Sequence, residues 1–492
     1  MRIEAPRAYW QDWKPDPQLK PEQGDILIRV SLPYSDIHWL NQVKFADAAE
    51  ALKSGKIKPY QYLSERWTTT DDNGNELPGN ITGEIYWAIY ANLPLSRLNY
   101  IGQLGLLFHS TKDQIYEFSK GTDFSHTRLS HSLTTAKVGE GMAICLGLPE
   151  QEKNQLVVAA LMHDIAMPPF GDATIELDAE ALSEEVAISR LLRRYDLKAL
   201  ERFGVQKRQI LATIRGQGIL GKLLDLADKI SYTACDVDHY IGDPYTIDIP
   251  NVLDVLTEPI AALVRADPNW ADLYKDIRLT STGKPYFNNI QRLSIFLELR
   301  AKMHDALYLN PRCRGLDLLY RLLLAPLYSR HPQPTKPLNS RNLLYLTDDE
   351  LARIVSQAWG LSHDIHHISH TLDVAPNYAQ VDDETEIDHM DEQLRNRGEF
   401  VLAAEEIRSF NTGTDIPVLN QQTGKAQPYF QVQPEHASYL EQIAQGCHKF
   451  VVYYWPNLLD AEFSNEAKLR PIFEKIIGDL RQHSKGKIPL FR

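Results

Sequence analysis

The sequence predicts a mainly α protein: a multi-helix core with smaller mixed α/β additions at its N- and C-terminal ends. Three observations carry this. From about Gly83 to Tyr328, apolar residues recur at three- and four-residue spacing, the period of helices with one buried face. Residues 1–83 are instead rich in Trp, Tyr, Pro and Gly, and hold the turn-dense stretch TTTDDNGNELPGN at 68–80. Beyond 342 the texture is mixed, and NTGTDIPVLNQQTGKAQPYFQVQP at 411–434 reads as loop with short strands.

Taken in order, partial alternation over Asp25–Leu32 predicts a small β element in the N-terminal region. Helices are predicted over Leu129–Leu148 and Glu152–Ile165, the second stopped by Pro168-Pro169, which cannot continue the ladder. Ser183–Tyr195 opens with S-E-E, a cap residue followed by acids in the first turn. Ile219–His239, Ile290–Tyr308 and Gly315–Tyr328 follow. The Pro- and Ser-rich SRHPQPTKPLNSRN at 329–342 marks a break. Helices resume at Glu435–Trp455 and Asn465–His483, and the acidic Asp382–Glu392 reads as a solvated face. The predicted division is an N-terminal extension over 1–83, a helical domain over 84–330 and a mixed C-terminal region over 343–492.

Composition narrows the class. The chain has 492 residues, 43% of them hydrophobic, which suits one large domain with appendages or several domains. No apolar run reaches the ~20 residues of a membrane-spanning helix, and the N-terminus lacks the apolar core of a secretory signal. Cys145, Cys235, Cys313 and Cys447 are far apart and form no CxxC pair, so neither a disulfide framework nor a thiolate zinc site is expected. These features suit a cytoplasmic protein. The net charge of −13 repels polyanions, so generic nucleic-acid binding is not expected; a small anion would need a local Arg/Lys pocket.

One set of residues has the composition of a metal site. His163-Asp164 ends the apolar run LVVAALMHD, where imidazole and carboxylate cost folding energy unless something satisfies them. A divalent metal would do so. His131 follows Arg128 by one helical turn in TRLSHSLTTAKV, and Asp228 lies in the apolar stretch LLDLADKISY. Three helices thus each offer polar ligands from largely apolar faces. The His-Asp dipeptide alone is weak, since it recurs at His304-Asp305 and His363-Asp364 in a chain with 16 histidines.

The segments LSRLNYIGQLGLLF, FSHTRLSHSLTTAKV, LVVAALMHDIAMPPFGD, LLDLADKISYTACD and LELRAKMHDALYLNPRCRGLDLLYRLL, in that order, resemble the HD-domain deoxynucleoside triphosphate triphosphohydrolases over about residues 84–330. The resemblance implies an HD-domain core holding one divalent metal (Mn, Fe, Zn or Mg) on His131, His163, Asp164 and Asp228. It implies that Arg128, Lys229 and Arg300, with Tyr232 beside them, hold a triphosphate. It further implies that Gln103 and Asp236 bind the sugar 3′-hydroxyl, and that Leu104 and Tyr308 close over C2′. The implied reaction splits a deoxynucleoside triphosphate into deoxynucleoside and tripolyphosphate, usually in a homo-oligomer. Physically, three cations and a metal suit a polyanion, and Asp164 could help orient the attacking water.

The sequence departs from that family in one motif. HDIAMPPFGD has Met167 and Asp172 where the family has histidines, and Ser183-Glu184 stands where it has His-Glu. In the family those histidines contact phosphates and move a proton to the leaving oxygen. Met can neither donate a hydrogen bond nor carry a proton. Asp172, Glu176 and Glu184 are the candidate replacements, the carboxylates whose pKa burial or a neighbouring charge could raise. Two other readings stay open: a different phosphohydrolase on the same scaffold, and a catalytically weak module that senses nucleotides. A second histidine group, His363, His366, His367 and His370, would share one helical face, but no acidic partner is fixed by its pattern.

Overall fold

The computed structural model describes residues 128–240 (without 194 and 196), 256–360 (without 268), 376–455, 465–483 and 487–491, together with Ile85, Ile89, Leu95, Arg97, Leu98 and Ile101. The expected β element at Asp25–Leu32, the loop at 68–80 and the histidine group at 363–370 lie outside these residues.

The described chain is mainly helical. Its principal helices are α1 (Arg128–Cys145), α2 (Glu150–Met162), the one-turn α3 (Asp172–Ile175), α4 (Glu184–Leu192), α5 (Lys207–Ile214), α6 (Gly218–Tyr240) and α7 (Glu258–Ala266). The hairpin β1 (Ile277–Leu279) and β2 (Pro285–Phe287) precedes α8 (Ile290–Met303) and α9 (Pro311–Leu324). Then come β3 (Tyr328–Ser329), β4 (Leu338–Asn339), α10 (Asp348–Ala358), β5 (Asn377–Val381), α11 (Ile387–Asn396) and β6 (Phe400–Ile407). The chain continues through β7 (Pro417–Asn420), β8 (Lys425–Pro428), α12 (Pro434–Cys447), β9 (Lys449–Trp455), α13 (Asn465–His483) and β10 (Leu490–Phe491).

Local chemistry explains the main boundaries. Helix α2 starts after Pro149 with Glu150 and Glu152 in its first turn, where acids favour the helix dipole. Helix α4 begins at Glu184 after Ser183, and buries Ala187, Ile188, Leu191 and Leu192 along one stripe. Asn289 caps α8 by accepting from the Gln291 and Arg292 amides. Thr347 and Glu350 form a reciprocal capping box that starts α10.

Three expectations shift. The helix expected over Ile290–Tyr308 is α-helical only to Met303; His304–Tyr308 form a π-helical turn, a feature common at functional sites. The helix expected over Gly315–Tyr328 starts earlier, at Pro311, whose missing N–H costs nothing in a first turn. The helix expected over Glu435–Trp455 stops at Cys447, and KFVVYYW becomes β9. Its β-branched and aromatic residues suit a strand paired on both sides. The hairpin β1–β2, inside the region expected to be helical, was not anticipated.

Helix α1 is central. Nearly all its side chains, polar ones included, are buried against α2 and α6. One large core gathers α1, α2, α6 and α8, and Tyr429, Ala437 and Leu440 from the C-terminal region join it. A second core lies between α9, α10, β6, β9 and α13, and also takes Phe170 and Leu182. Strand order is β10-β6-β9-β5 in one four-stranded sheet and β1-β2-β7-β8 in the other. Strands β6 and β9 are antiparallel, pairing Phe400 with Trp455 and Glu405 with Val451, with an irregularity between Val401 and Ala403. Among the described residues, no helix is long and apolar enough to cross a membrane.

Candidate metal centre and adjoining cavity

Three helices deliver four ligand-type side chains to one point. His131 comes from α1, His163 and Asp164 from the end of α2, and Asp228 from α6. His163 is the C-cap of α2, and its Nδ1 lies 2.6 Å from the Ala160 carbonyl oxygen. Nδ1 must therefore carry the proton it donates, which turns Nε2 inward as a lone-pair donor. That Nε2 lies 3.2 Å from Nε2 of His131. Asp228 Oδ1 lies 2.8 Å from the His131 nitrogen and 3.4 Å from the His163 nitrogen. Asp164 offers Oδ1 at 3.5 Å from His163 Nε2 and Oδ2 at 4.0 Å from His131 Nε2.

These separations fit a cation. Donors at about 2.1 Å from one ion stand about 3 to 4 Å apart along the edges of its coordination shell. Two neutral imidazole nitrogens aimed at each other have no reason to approach unless a proton or a metal lies between them. His131, His163 and Asp164 form a buried group able to hold one ion. Asp228, a third exposed, completes the set on the open side.

The electrostatics are those of a tight charge cluster. Burial works against the Asp228 charge, yet hydrogen bonds with His131 and His163 hold its carboxyl well below the usual range. Asp164 is also lowered: burial opposes its charge, and His163, Arg128 and His131 outweigh burial. Burial alone would lower His163, but the Asp164 charge and Asp228 push it up to about 10. A cation at this point would replace that proton. Glu184 goes the other way, pushed up to about 8 by burial and by the Asp164 charge.

A cavity of about 420 Å³ opens beside the cluster. Arg128, His163, Asp164 and Asp228 line it, as do the acidic Asp172, Glu176, Glu184 and Asp317 with Arg314. Tyr232, Asp236, His304, Tyr308 and Phe410 line it as well. Arg128 Nη1 donates to Asp164 Oδ2 at 3.0 Å, so one guanidinium links the metal-type ligands to the cavity. Tyr308 OH donates to Asp236 Oδ2. Arg300 donates from Nε to Tyr232 OH at 2.7 Å and from Nη1 to the Asn411 carbonyl at 2.5 Å. Lys229 pairs with Asp225 at 2.7 Å, half-exposed. Arg300 and Lys229 are not among the described residues that line the cavity. Met167 is buried and is not in the wall either; Asp172 and Glu184 are. Gln103 and Leu104 lie outside the described residues.

Sequence reasoning missed His304, Phe410, Arg314 and Asp317. His304 belongs to a His-Asp copy that looked like chance, yet it lines the cavity. Its Nδ1 lies 2.8 Å from the Arg300 carbonyl, and its ring stacks on Phe410 at 4.2 Å and 28°. Burial, with help from the Arg300 charge, lowers it to about 3, so it is neutral. The spacing Arg300, His304, Tyr308 repeats every four residues and was the available signal. Phe410 comes from outside the motifs and had none; Arg314 and Asp317 lie within the segment LELRAKMHDALYLNPRCRGLDLLYRLL, where no role was assigned to them. Arg314 is held by Glu176 at 2.9 Å and Glu405 at 2.7 Å, which ties the acidic lining to β6.

Comparison with known proteins accords with this geometry. Residues 128–233 match the HD domain family. A deoxyguanosinetriphosphate triphosphohydrolase-like protein of Caulobacter sp. (strain K31) is 30% identical over 210 residues, covering 34% of this chain and 50% of that protein. A protein of the same description from Bradyrhizobium sp. (strain ORS 278) is 44% identical over 62 residues, covering 13% of this chain and 15% of that one. The chain thus spans half the length of the first relative and about a seventh of the second. Among solved structures, a phosphohydrolase from Bacteroides thetaiotaomicron VPI-5482 superposes with a TM-score of 0.54 at 15% identity, over 79% of this chain and 99% of that chain. A hypothetical protein from Aquifex aeolicus gives 0.51 at 18% identity, over 79% and 93%. These two likenesses concern the fold. Residues 128–233 of this chain, which contain all four converging ligand-type side chains, are therefore an HD domain.

Proposed function

We propose that the chain is a metal-dependent HD phosphohydrolase acting on deoxynucleoside triphosphates, releasing deoxynucleoside and tripolyphosphate. The observation that carries this reading is Arg128. A buried guanidinium bonded to Asp164 stands where a phosphate beside the metal-type ligands would meet it, in a cavity that also holds the Asp236–Tyr308 pair. The names of the relatives support a triphosphate substrate.

His131, His163, Asp164 and Asp228 would hold the divalent cation. When bound, such an ion supplies Lewis acidity toward a phosphoryl oxygen and acidifies an attacking water. Arg128 would neutralise phosphoryl oxygens, with Arg300, Lys229 and Tyr232 as further triphosphate contacts. Asp236 would accept the sugar 3′-hydroxyl, and Tyr308 would pack against C2′, with Gln103 and Leu104 assigned to the same end by resemblance. Glu184 is the best candidate to protonate the leaving 5′-oxygen: it lines the cavity, and its raised pKa keeps its proton near neutrality. Asp172 is a second carboxyl lining the cavity.

The test is a panel of dNTPs against Mn²⁺, Mg²⁺, Fe²⁺ and Zn²⁺, assayed for tripolyphosphate. No turnover in any pairing would sink the reading. Burial of Met167 away from the cavity favours a second reading, a module that binds nucleotide without hydrolysing it. That reading predicts nucleotide-dependent thermal stabilisation with turnover indistinguishable from that of Asp164→Ala.

A further inference from the structure

The segment after the His-Asp pair, Ile165–Gly171, has an unusual backbone. Phe170 is the one non-glycine residue with positive φ among the described residues, at 57°, a conformation unfavourable for an L-residue. Gly171 follows at φ 51°, and a Cβ there would meet Arg128 Nη2 at 3.0 Å. The guanidinium of Arg128 is thus wedged between the Gly171 backbone and the Asp164 carboxylate.

Two side chains from outside the HD domain hold this segment from behind. Arg97, 1% exposed, donates from Nη2 to the carbonyls of Ile165 at 3.2 Å and Met167 at 2.6 Å. Its Nη1 donates to the Leu346 carbonyl at 2.7 Å. Asp348, the first residue of α10, accepts the Phe170 amide at 2.9 Å through Oδ1. The two are linked: burial lowers Arg97 to about 10, and the charges of Asp348 and Glu350 oppose that fall. Buried carbonyls and amides need partners, and α2 has ended before Ile165, so no ladder supplies them. Phe170 anchors the segment in the second core, edge-on to Tyr320 at 4.5 Å.

We propose that Arg97 and Asp348 are positioning residues. Together they impose the Ile165–Gly171 backbone that presents Gly171 to Arg128 and so aims the guanidinium into the cavity. The consequence for nucleotide rests on the reading of Arg128 as a phosphate contact; the consequence for the backbone does not. Met167 fits this assignment, because its carbonyl, not its side chain, is what Arg97 uses.

The experiment uses the full chain with Asp348→Ala and Asp348→Asn, and Arg97→Lys as an independent variant. Asn keeps an Oδ1 acceptor for the Phe170 amide; Ala does not. Lys cannot span three carbonyls as the guanidinium fork does. Hydrogen–deuterium exchange over residues 165–172 and Mn²⁺-dependent binding of tripolyphosphate are both measured. Asp348→Ala and Arg97→Lys should exchange at least tenfold faster there and bind tripolyphosphate about tenfold more weakly. Mn²⁺ affinity should change by less than about threefold, and Asp348→Asn should behave like the wild type. Equal exchange in Asp348→Ala and wild type, or an Asp348→Asn as impaired as Asp348→Ala, would overturn the proposal. A wild type that binds no tripolyphosphate would overturn the phosphate reading of Arg128 instead, while exchange still decides the clamp. If Arg97→Lys does not fold, the Asp348 pair decides it.

Discussion

The Nε2 atoms of His131 and His163 face each other across 3.2 Å, with an Asp228 oxygen 2.8 Å from one and 3.4 Å from the other. Each imidazole comes from a different helix, so the approach is a product of how α1 and α2 pack. A pair so placed must share either a proton or a cation, and this sets the first expectation.

Metal binding should be steeply pH-dependent. With no cation at the site, His163 keeps its proton up to about pH 10, so metal must displace it. Mn²⁺ affinity should rise by up to about tenfold per pH unit between pH 7 and 9. A histidine raised in the folded state stabilises the metal-free protein below its unfolded pKa, and that stability is lost as pH rises toward 10. Calorimetric titration at several pH values, with thermal melts of chelated protein, measures both. A pH-independent affinity would contradict the shared-proton arrangement.

Asp228→Ala and His163→Ala should each weaken divalent-metal binding by at least tenfold, on the order of 1.4 kcal/mol. Both should also reduce the metal-dependent rise in melting temperature at a fixed metal concentration. Metal content by elemental analysis after dialysis checks this without recourse to activity.

Arg128→Ala removes one partner of a buried pair, whose side chains are 10% and 2% exposed. Leaving Asp164 without its guanidinium should cost about 3 kcal/mol, softened by the histidines that remain beside it. Nucleotide-induced stabilisation should disappear in the same variant. Gly171→Ala should mimic it partially, since its Cβ would push against Arg128 Nη2 at 3.0 Å and its φ of 51° suits glycine.

Glu184→Gln should lower the rate by about 10²- to 10⁴-fold with little change in nucleotide affinity. As a proton donor, Glu184 must be protonated, a state it holds below about pH 8 and loses above it. The wild-type rate should therefore fall on the alkaline side with an apparent pKa near 8. A Glu184→Gln profile with the same alkaline limb would assign that limb to another group.

Asp317 is raised to about 8, with burial the largest cause. Its folded-state pKa exceeds its unfolded one, so stability from this group is greatest in acid and is lost as pH rises toward 8. Asp317→Asn should raise the melting temperature at pH 8 relative to the wild type and flatten its decline with pH. Paired melts from pH 5 to 9 test this.

The sequence by itself determined the helical class and the ligand candidates. Apolar residues at helical period mark one buried face per helix, and a histidine or carboxylate interrupting such a face is visible because burying it is costly. That is why His131, His163, Asp164 and Asp228 were legible, and why the boundaries of α13 match Asn465–His483. Tertiary structure decided the rest. KFVVYYW read as the end of a helix, and it is instead β9 because β5 and β6 offer pairing on both sides. Phe410 reaches the cavity from a segment after β6 that no motif ties to it, and Arg314, though inside a motif segment, is held at the cavity by Glu176 and Glu405 from elsewhere in the chain. Arg97 and Asp348 meet the same loop from positions 251 residues apart in numbering, at hydrogen-bond distance from Ile165, Met167 and Phe170. Local pattern records what each residue needs to bury or to bond, but only packing decides which distant partner supplies it.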